Sequence, residues 1–201
     1  FAAKLHTRAG ALELDVLAAR HYGDAVGGIG LTGYWGSAAW RTDAVVTVPD
    51  EATDEAYVSL VANVDRSWTW LSKNWYGFLE YYVNGVGLGN PARALRDPLI
   101  AERLARGDIF VLGRHYLSGT LQVELHPLLN AFVTVIENLE SHSGVIQPRL
   151  AWDVSQNTRA ILGATLPYGP PDTEYGGFDL PGTPLRLTPA TTAYGWVSWY
   201  F

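Results

Sequence analysis

Apolar and polar residues alternate with a period of two along almost the whole chain, the pattern of strands whose two faces meet different surroundings. Phe1 to Arg8 sets Ala3, Leu5 and Thr7 against Lys4, His6 and Arg8, and Ala9-Gly10 turns into a strand carrying Leu12, Leu14, Val16 and Ala18 opposite Glu13 and Asp15. A glycine-rich strand, residues 25–35, and its neighbour, residues 37–48, follow; the second sets Trp40, Ala44, Val46 and Val48 against Arg41, Asp43 and Thr47. Residues 56–70 place Val58, Leu60, Ala62 and Val64 opposite Tyr57, Ser59, Asn63 and Asp65. Arg66 interrupts that apolar face near the strand end, beside Trp68 and Trp70, where a long cation can reach out past aromatic neighbours. Residues 75–85, 109–126, 128–139, 145–154, 158–169 and 191–201 continue the alternation, giving eleven strands. The cleanest sets Leu117, Gly119, Leu121, Val123 and Leu125 against Tyr116, Ser118, Thr120, Gln122, Glu124 and His126. Pro148 counts against a central position for its strand, because proline cannot donate to a ladder.

The connections predict an architecture. Tight turns fall near Gly10, Gly36, Lys73, Pro127 and Asn157, and between them lie links expected to be longer: His21–Asp24, the acidic Pro49–Glu55, Val86–Asp108, Glu140–Gly144 and Pro170–Pro189. The third of these contains a short helix, with Asp97 as N-cap, Pro98 in first position and Gly107 past the end.

Composition narrows the classes. Charged residues are 17% and aromatics 12%, with 8 Trp and 11 Tyr, against about 25% charged in ordinary soluble domains. No apolar run nears the ~20 residues of a membrane-spanning helix. Cys is absent, which removes disulfides, thiolate metal sites and cysteine nucleophiles. Met is absent too, and the chain opens in mid-pattern at Phe1, so it reads as a processed product or the C-terminal part of something longer. A net charge of −6 argues mildly against nucleic acid as a partner.

The last strand, "TTAYGWVSWYF", carries Ala193, Gly195, Val197, Trp199 and Phe201 on one face and Thr192, Tyr194, Trp196, Ser198 and Tyr200 on the other. It resembles the C-terminal strand of Gram-negative outer-membrane β-barrels, in which a terminal aromatic and the apolar residues at alternate positions before it form the assembly signal; here these are Val197, Trp199 and Phe201. The one-sided loop lengths and strands of roughly eleven residues fit the same family. The resemblance implies an all-β, antiparallel transmembrane barrel in the cell outer membrane: one barrel domain or barrel portion over residues 1–201, with eleven to twelve strands visible and long extracellular loops at 86–108 and 170–189. Its partners would be outer-membrane lipid and the barrel-assembly machinery. Bacterial single-chain barrels have even strand counts, and an open sheet would leave unpaired edges in hydrocarbon. Closure is therefore expected from missing N-terminal strands or a second chain.

On that reading the function is porin-like, passive or selective diffusion of small polar solutes. The lumen and selectivity candidates are Arg41, Asp43, Glu80, Glu124, Arg149, Asp153 and Arg159, with Arg41, Arg149 and Arg159 foremost because their parity is clear. The plain alternative is that such charges merely satisfy one another across neighbouring strands. Other classes stay open: a structural barrel sheathing an electron-transfer cytochrome, an outer-membrane hydrolase, or a soluble carbohydrate-binding β-sandwich, whose aromatics would gather in one groove and not at strand ends. No G-x-S-x-G is present, the five His have no metal-ligand spacing, and "NGVGLGN" lacks the Lys-Ser/Thr of a phosphate loop, so no catalytic residue, metal or cofactor is expected.

Overall fold

The computed structural model describes residues 1–51 and 54–201. Period-two patterning becomes eleven antiparallel strands in one sheet: β1 (Ala2–Ala9), β2 (Leu12–His21), β3 (Asp24–Trp35), β4 (Ala38–Val48), β5 (Tyr57–Trp70), β6 (Lys73–Val83), β7 (His115–His126), β8 (Leu129–Asn138), β9 (Ser143–Ser155), β10 (Thr158–Tyr168) and β13 (Thr192–Trp199). Each pairs with its neighbours in sequence order, β13 following β10. A two-stranded ribbon, β11 (Phe178–Asp179) with β12 (Arg186–Leu187), sits inside the last link. The large sheet is not closed: β1 and β13 are each hydrogen-bonded on one side only.

Both ends of the sheet have their own character. At one end every link is a two-residue turn, at residues 10–11, 36–37, 71–72, 127–128 and 156–157. At the other the links are residues 22–23, 49–56, 84–114, 139–142 and 169–191. The first of these corrects the sequence expectation. His21–Asp24 is no long link; it is a two-residue turn in which Tyr22 (φ 50°) and Gly23 (φ 97°) take left-handed conformations and His21 pairs directly with Asp24. Glycine adopts positive φ at little cost, so a turn this tight forms there. Two residues of the acidic loop, Ala52 and Thr53, lie outside the described residues.

Pro148 does occupy a central strand, β9. It keeps its pairing with Val133 of β8, while the β9–β10 ladder lapses between Arg149↔Gly163 and Ile146↔Leu166. A missing donor is accommodated where the ladder is already open, and the Gln147 amide reaches Thr165 Oγ1 at 3.4 Å across the gap.

The link at 84–114 folds as two helices, α1 (Pro91–Ala94) and α2 (Pro98–Arg106). The Asp97 carboxylate accepts from the amides of Leu99 (3.0 Å) and Ile100 (3.3 Å), and Gly107 ends α2 at φ 76°. Among the described residues no helix is long and apolar enough to cross a membrane.

Packing is unusual for a chain of this size. The surface is 12367 Å², whereas a compact monomer of this mass exposes about 9,300 Å². Among the described residues the one sizeable cluster of buried apolar residues comprises Val86, Ala94, Ile100, Ile109, Leu112 and Phe178, all from the two long links. No second layer of strands packs against the large sheet among the described residues.

Candidate functional site

Register divides the sheet into two chemically opposite faces. Leu5, Val16, Ile29, Ala44, Leu60 and Val83 are successive partners across β1 to β6, and Val123, Ala131, Leu150, Leu162 and Gly195 continue the apolar face to β13. Half of these side chains are exposed, Leu5 by 65% and Leu162 by 61% among them, and the rest are half-buried. The opposite row of partners reads Arg8, Glu13, Thr32, Arg41, Asn63, Glu80 and Ser118.

Tryptophans are banded. All eight lie in the halves of their strands nearest the two-residue turns, seven on the apolar face and Trp196 on the polar one. Trp68 stacks on Trp75 at 6.3 Å, and Trp35 lies 5.5 Å from Trp40. Tyr57, Tyr81, Tyr82, Tyr116 and Tyr168 fall at the loop end instead. Val197, Trp199 and Phe201 share the apolar face of the edge strand and its tail, with Trp199 and Phe201 6.0 Å apart.

The candidate selectivity residues all lie on the polar face, but not as one cluster. Arg41 holds Asp65 at 2.7 Å and is 3.5 Å from Asn63, whose amide in turn faces Glu80 at 3.4 Å. Asp43 leans over Gly30: a Cβ there would stand 2.4 Å from its Oδ1 and 3.4 Å from Asp15 Cβ. Asp15 is already engaged by Lys4 (3.2 Å) and His6 (3.0 Å), and Arg8 bonds Glu13. Toward the turn end, Asn74 donates to Glu124 at 2.9 Å and Arg159 pairs with Asp153 at 3.7 Å. The Arg149 guanidinium rests 4.3 Å from the Phe132 ring.

Two of the three arginines favoured by parity are therefore neutralised by carboxylates. Among the described residues, Asp43, Glu80 and Glu124 have no cationic partner, and Arg149 has no anionic one. Charge pairing across strands explains Arg41, Arg159 and Asp153, and leaves three free carboxylates against one free guanidinium.

At the loop end the polar face is covered. Arg103 of α2 is buried and bonds Asp24 at the start of β3, whose other oxygen accepts from the Asp50 amide at 3.0 Å. Asp108 bridges Arg103 (3.4 Å) and His21 (3.2 Å), and Arg106 lies 4.6 Å over the Tyr22 ring. These contacts, with Arg103 5.9 Å over Tyr57, seat the helical link on β2, β3 and β5. The last link is clasped to β7 and β8: Tyr116 Oη bonds Glu174, accepts from the Gly113 amide at 2.6 Å, and lies 3.3 Å from the Asn138 amide. Glu174 also accepts from the Leu112 amide at 3.0 Å, which ties the two long links together. Beside it, burial first and Glu174 second push the Tyr175 phenol up to about 12.

A hollow of about 430 Å³ remains between cover and sheet, bordered by Leu17, Val45, Tyr57, Ser59, Tyr82 and Arg103. Sequence reasoning found neither the Asp24–Arg103 pair nor the Tyr116–Glu174 clasp. Each joins residues far apart in the chain, and the one local sign was that α2 ends in two arginines. Among the described residues no group of His, Asp or Glu is placed to hold a metal ion. No family model, curated protein or solved structure matches the chain.

Proposed function

We propose that this chain is wall and mouth of a porin-like β-barrel of the Gram-negative outer membrane, through which small polar solutes diffuse. The observation that carries the reading is the largely exposed apolar face that runs across all eleven strands, broken by Arg66 in β5 and bounded at the turn end by a tryptophan band. A face of exposed Leu, Val and Ile this large would drive aggregation in water, whereas hydrocarbon solvates it and indoles favour its boundary. Strand lengths of 8 to 14 residues bracket the span of a tilted membrane strand. A carbohydrate-binding sandwich fits less well, because it needs two sheets face to face and aromatics gathered in one groove.

Closure follows from the same physics. Unpaired edges of β1 and β13 in hydrocarbon would cost several kcal/mol for each unsatisfied group. Both edges therefore pair with further strands, from more of the same polypeptide or from a second chain. The polar face then lines a water-filled passage, and the two long links narrow its outer mouth.

The experiment is electrophoretic mobility of the membrane-extracted protein with and without boiling in SDS, followed by conductance in planar bilayers. A heat-dependent shift with discrete channel steps supports the proposal. A protein released in the soluble fraction, with no shift, would remove it. A heat shift without conductance would keep the barrel and reject the channel.

A further inference from the structure

Resting on the membrane reading, the geometry points to a site for one anionic phospholipid on the apolar face, its phosphate held by Arg66 and one acyl chain lying in a trough floored by Gly77 and Gly119. The trough crosses β5 to β8 and encloses about 660 Å³. Its walls are Val64, Leu79, Leu121, Val133 and Val135. Two register rows build it. In one, Arg66, Gly77, Leu121 and Val133 are successive partners; in the next, Val64, Leu79, Gly119 and Val135 are.

A glycine in each row, on adjacent strands, removes side chains from this part of the face, where Val64, Leu79, Leu121, Val133 and Val135 stand around the gap. Trp68 closes one end, its ring 3.1 Å from where a Gly77 Cβ would be. Toward Gly119 the space is open, since a Cβ there would meet only ordinary contacts at 3.7 Å. Three strand spacings of 4.7–4.9 Å make the trough roughly 15 Å long. That length and that volume suit a single extended acyl chain rather than a headgroup or a second protein strand.

Arg66 supplies the charge complementarity. On this face of β5–β8 the other charged residues stand at the ends: Lys73 at the turn end, with its ammonium 2.5 Å from the Leu125 carbonyl, and Glu137 at the loop end, bonded by Tyr168. Arg66 is exposed and has no hydrogen bond or ion pair among the described residues. It pairs across the ladder with Ala38, the first residue of β4 after the Gly36–Ser37 turn, and with Gly77 on the other side. Its guanidinium is therefore level with the turn-end boundary toward β4, yet opens onto the apolar trough toward β6. A cation so placed is costly unless an anion meets it. A guanidinium binds two phosphate oxygens at once, which an ammonium does not. The boundary in reach is the one on the side of the short turns, and a glycerophospholipid there would present a charged phosphate ester to the guanidinium.

The test is native mass spectrometry of the detergent-extracted protein, titrated with dioleoylphosphatidylglycerol or dioleoylphosphatidylethanolamine. The expected result is one retained phosphatidylglycerol, favoured about tenfold over phosphatidylethanolamine. Arg66→Gln should abolish the preference, Arg66→Lys should restore part of it, and Gly119→Leu should weaken retention of both lipids by filling the trough. Each variant is first checked for the heat shift of the parent. No headgroup preference in the parent, a preference unchanged in Arg66→Gln, or a lipid-free dimer that fills the trough with a second copy would each overturn the site while leaving the barrel intact. A parent protein without heat shift or membrane association would overturn the barrel, and this site with it.

Discussion

Asp24 and Arg103, separated by 79 residues, meet as a buried ion pair with side-chain exposures of 5% and 2%. The pair joins the first residue of β3 to the middle of α2, and so anchors the helical link to the sheet. Removing one member takes the closest partner from the other buried charge and leaves it a longer contact, Arg106 at 3.7 Å for Asp24 or Asp108 at 3.4 Å for Arg103. The loss should therefore approach that of a broken buried pair, about 3–5 kcal/mol. Arg103→Met is expected to release the link, letting trypsin cut at Arg93, Arg96 and Arg106, while the heat shift expected on the proposed reading persists. Asp24→Asn combined with Arg103→Met removes the stranded charge as well, and should recover most of the protection. Cleavage of the double variant as fast as the single one would mean that the pair does not hold the link.

Ion selectivity should follow the charges left over after cross-strand pairing, which differ from those that parity favours. Asp43, Glu80 and Glu124 are the unpaired carboxylates, and Arg149 is the unpaired guanidinium on Phe132. Two unit charges 7 Å apart in water interact by about 0.6 kcal/mol, attractive for a cation and repulsive for an anion, so each neutralised carboxylate is expected to lower the cation-to-anion permeability ratio by up to roughly sevenfold at low salt. Asp43→Asn, Glu80→Gln and Glu124→Gln should each act in that direction, and Arg149→Gln in the other. Changing Arg159 and Asp153 together should leave the ratio unchanged. Reversal potentials under a salt gradient decide this, and an Arg159/Asp153 effect equal to that of Glu80 would contradict the pairing argument.

The strands were legible because every one exposes a two-sided surface, and a period of two is a local property of the chain. Pro148 shows the limit of a single-residue rule: its strand stays central because the ladder opens at that step. His21–Asp24 shows the limit of composition, since polar loop-like residues can be folded into a two-residue turn once one glycine supplies the left-handed conformation. Side-chain parity placed Arg41, Arg149 and Arg159 on the polar face of the sheet, but parity carries no information about partners. Asp65 neutralises Arg41 from 24 positions away, and Glu174 clasps Tyr116 across 58. Such contacts depend on how the links fold back across the sheet, which no local pattern encodes.

The β5–β6 turn is built against residue preference and should be easy to improve. Leu71 (φ 50°) and Ser72 (φ 57°) both adopt left-handed conformations, yet neither is Gly or Asn. Each such L-residue costs roughly 1–2 kcal/mol relative to a residue suited to the conformation. Replacing the pair with Asn-Gly, the preferred sequence for this turn type, is expected to stabilise the folded form by about 1–2 kcal/mol. The temperature at which the unboiled band gives way to the heat-denatured one should rise. An unchanged or lower midpoint would show that the turn's strain is relieved by contacts of Leu71 itself.

Alkali should release the last link before it unfolds the sheet. Tyr175 lies in the last link, and its phenol is raised from 10.0 to about 12 by burial and by the neighbouring Glu174 carboxylate. A raised pKa means that the folded link binds the phenolic proton more tightly than the released one. Its stabilising contribution is thus complete below pH 10, the value for the free phenol, and is lost as pH climbs through the folded value near 12. Conductance should rise over that interval as the link between β10 and β13 lets go, with phenolate absorbance near 295 nm increasing in step. Tyr175→Phe removes the ionisable group while keeping the ring, and should move the transition to higher pH. If the variant opens at the same pH as the parent, some other group unlatches the link.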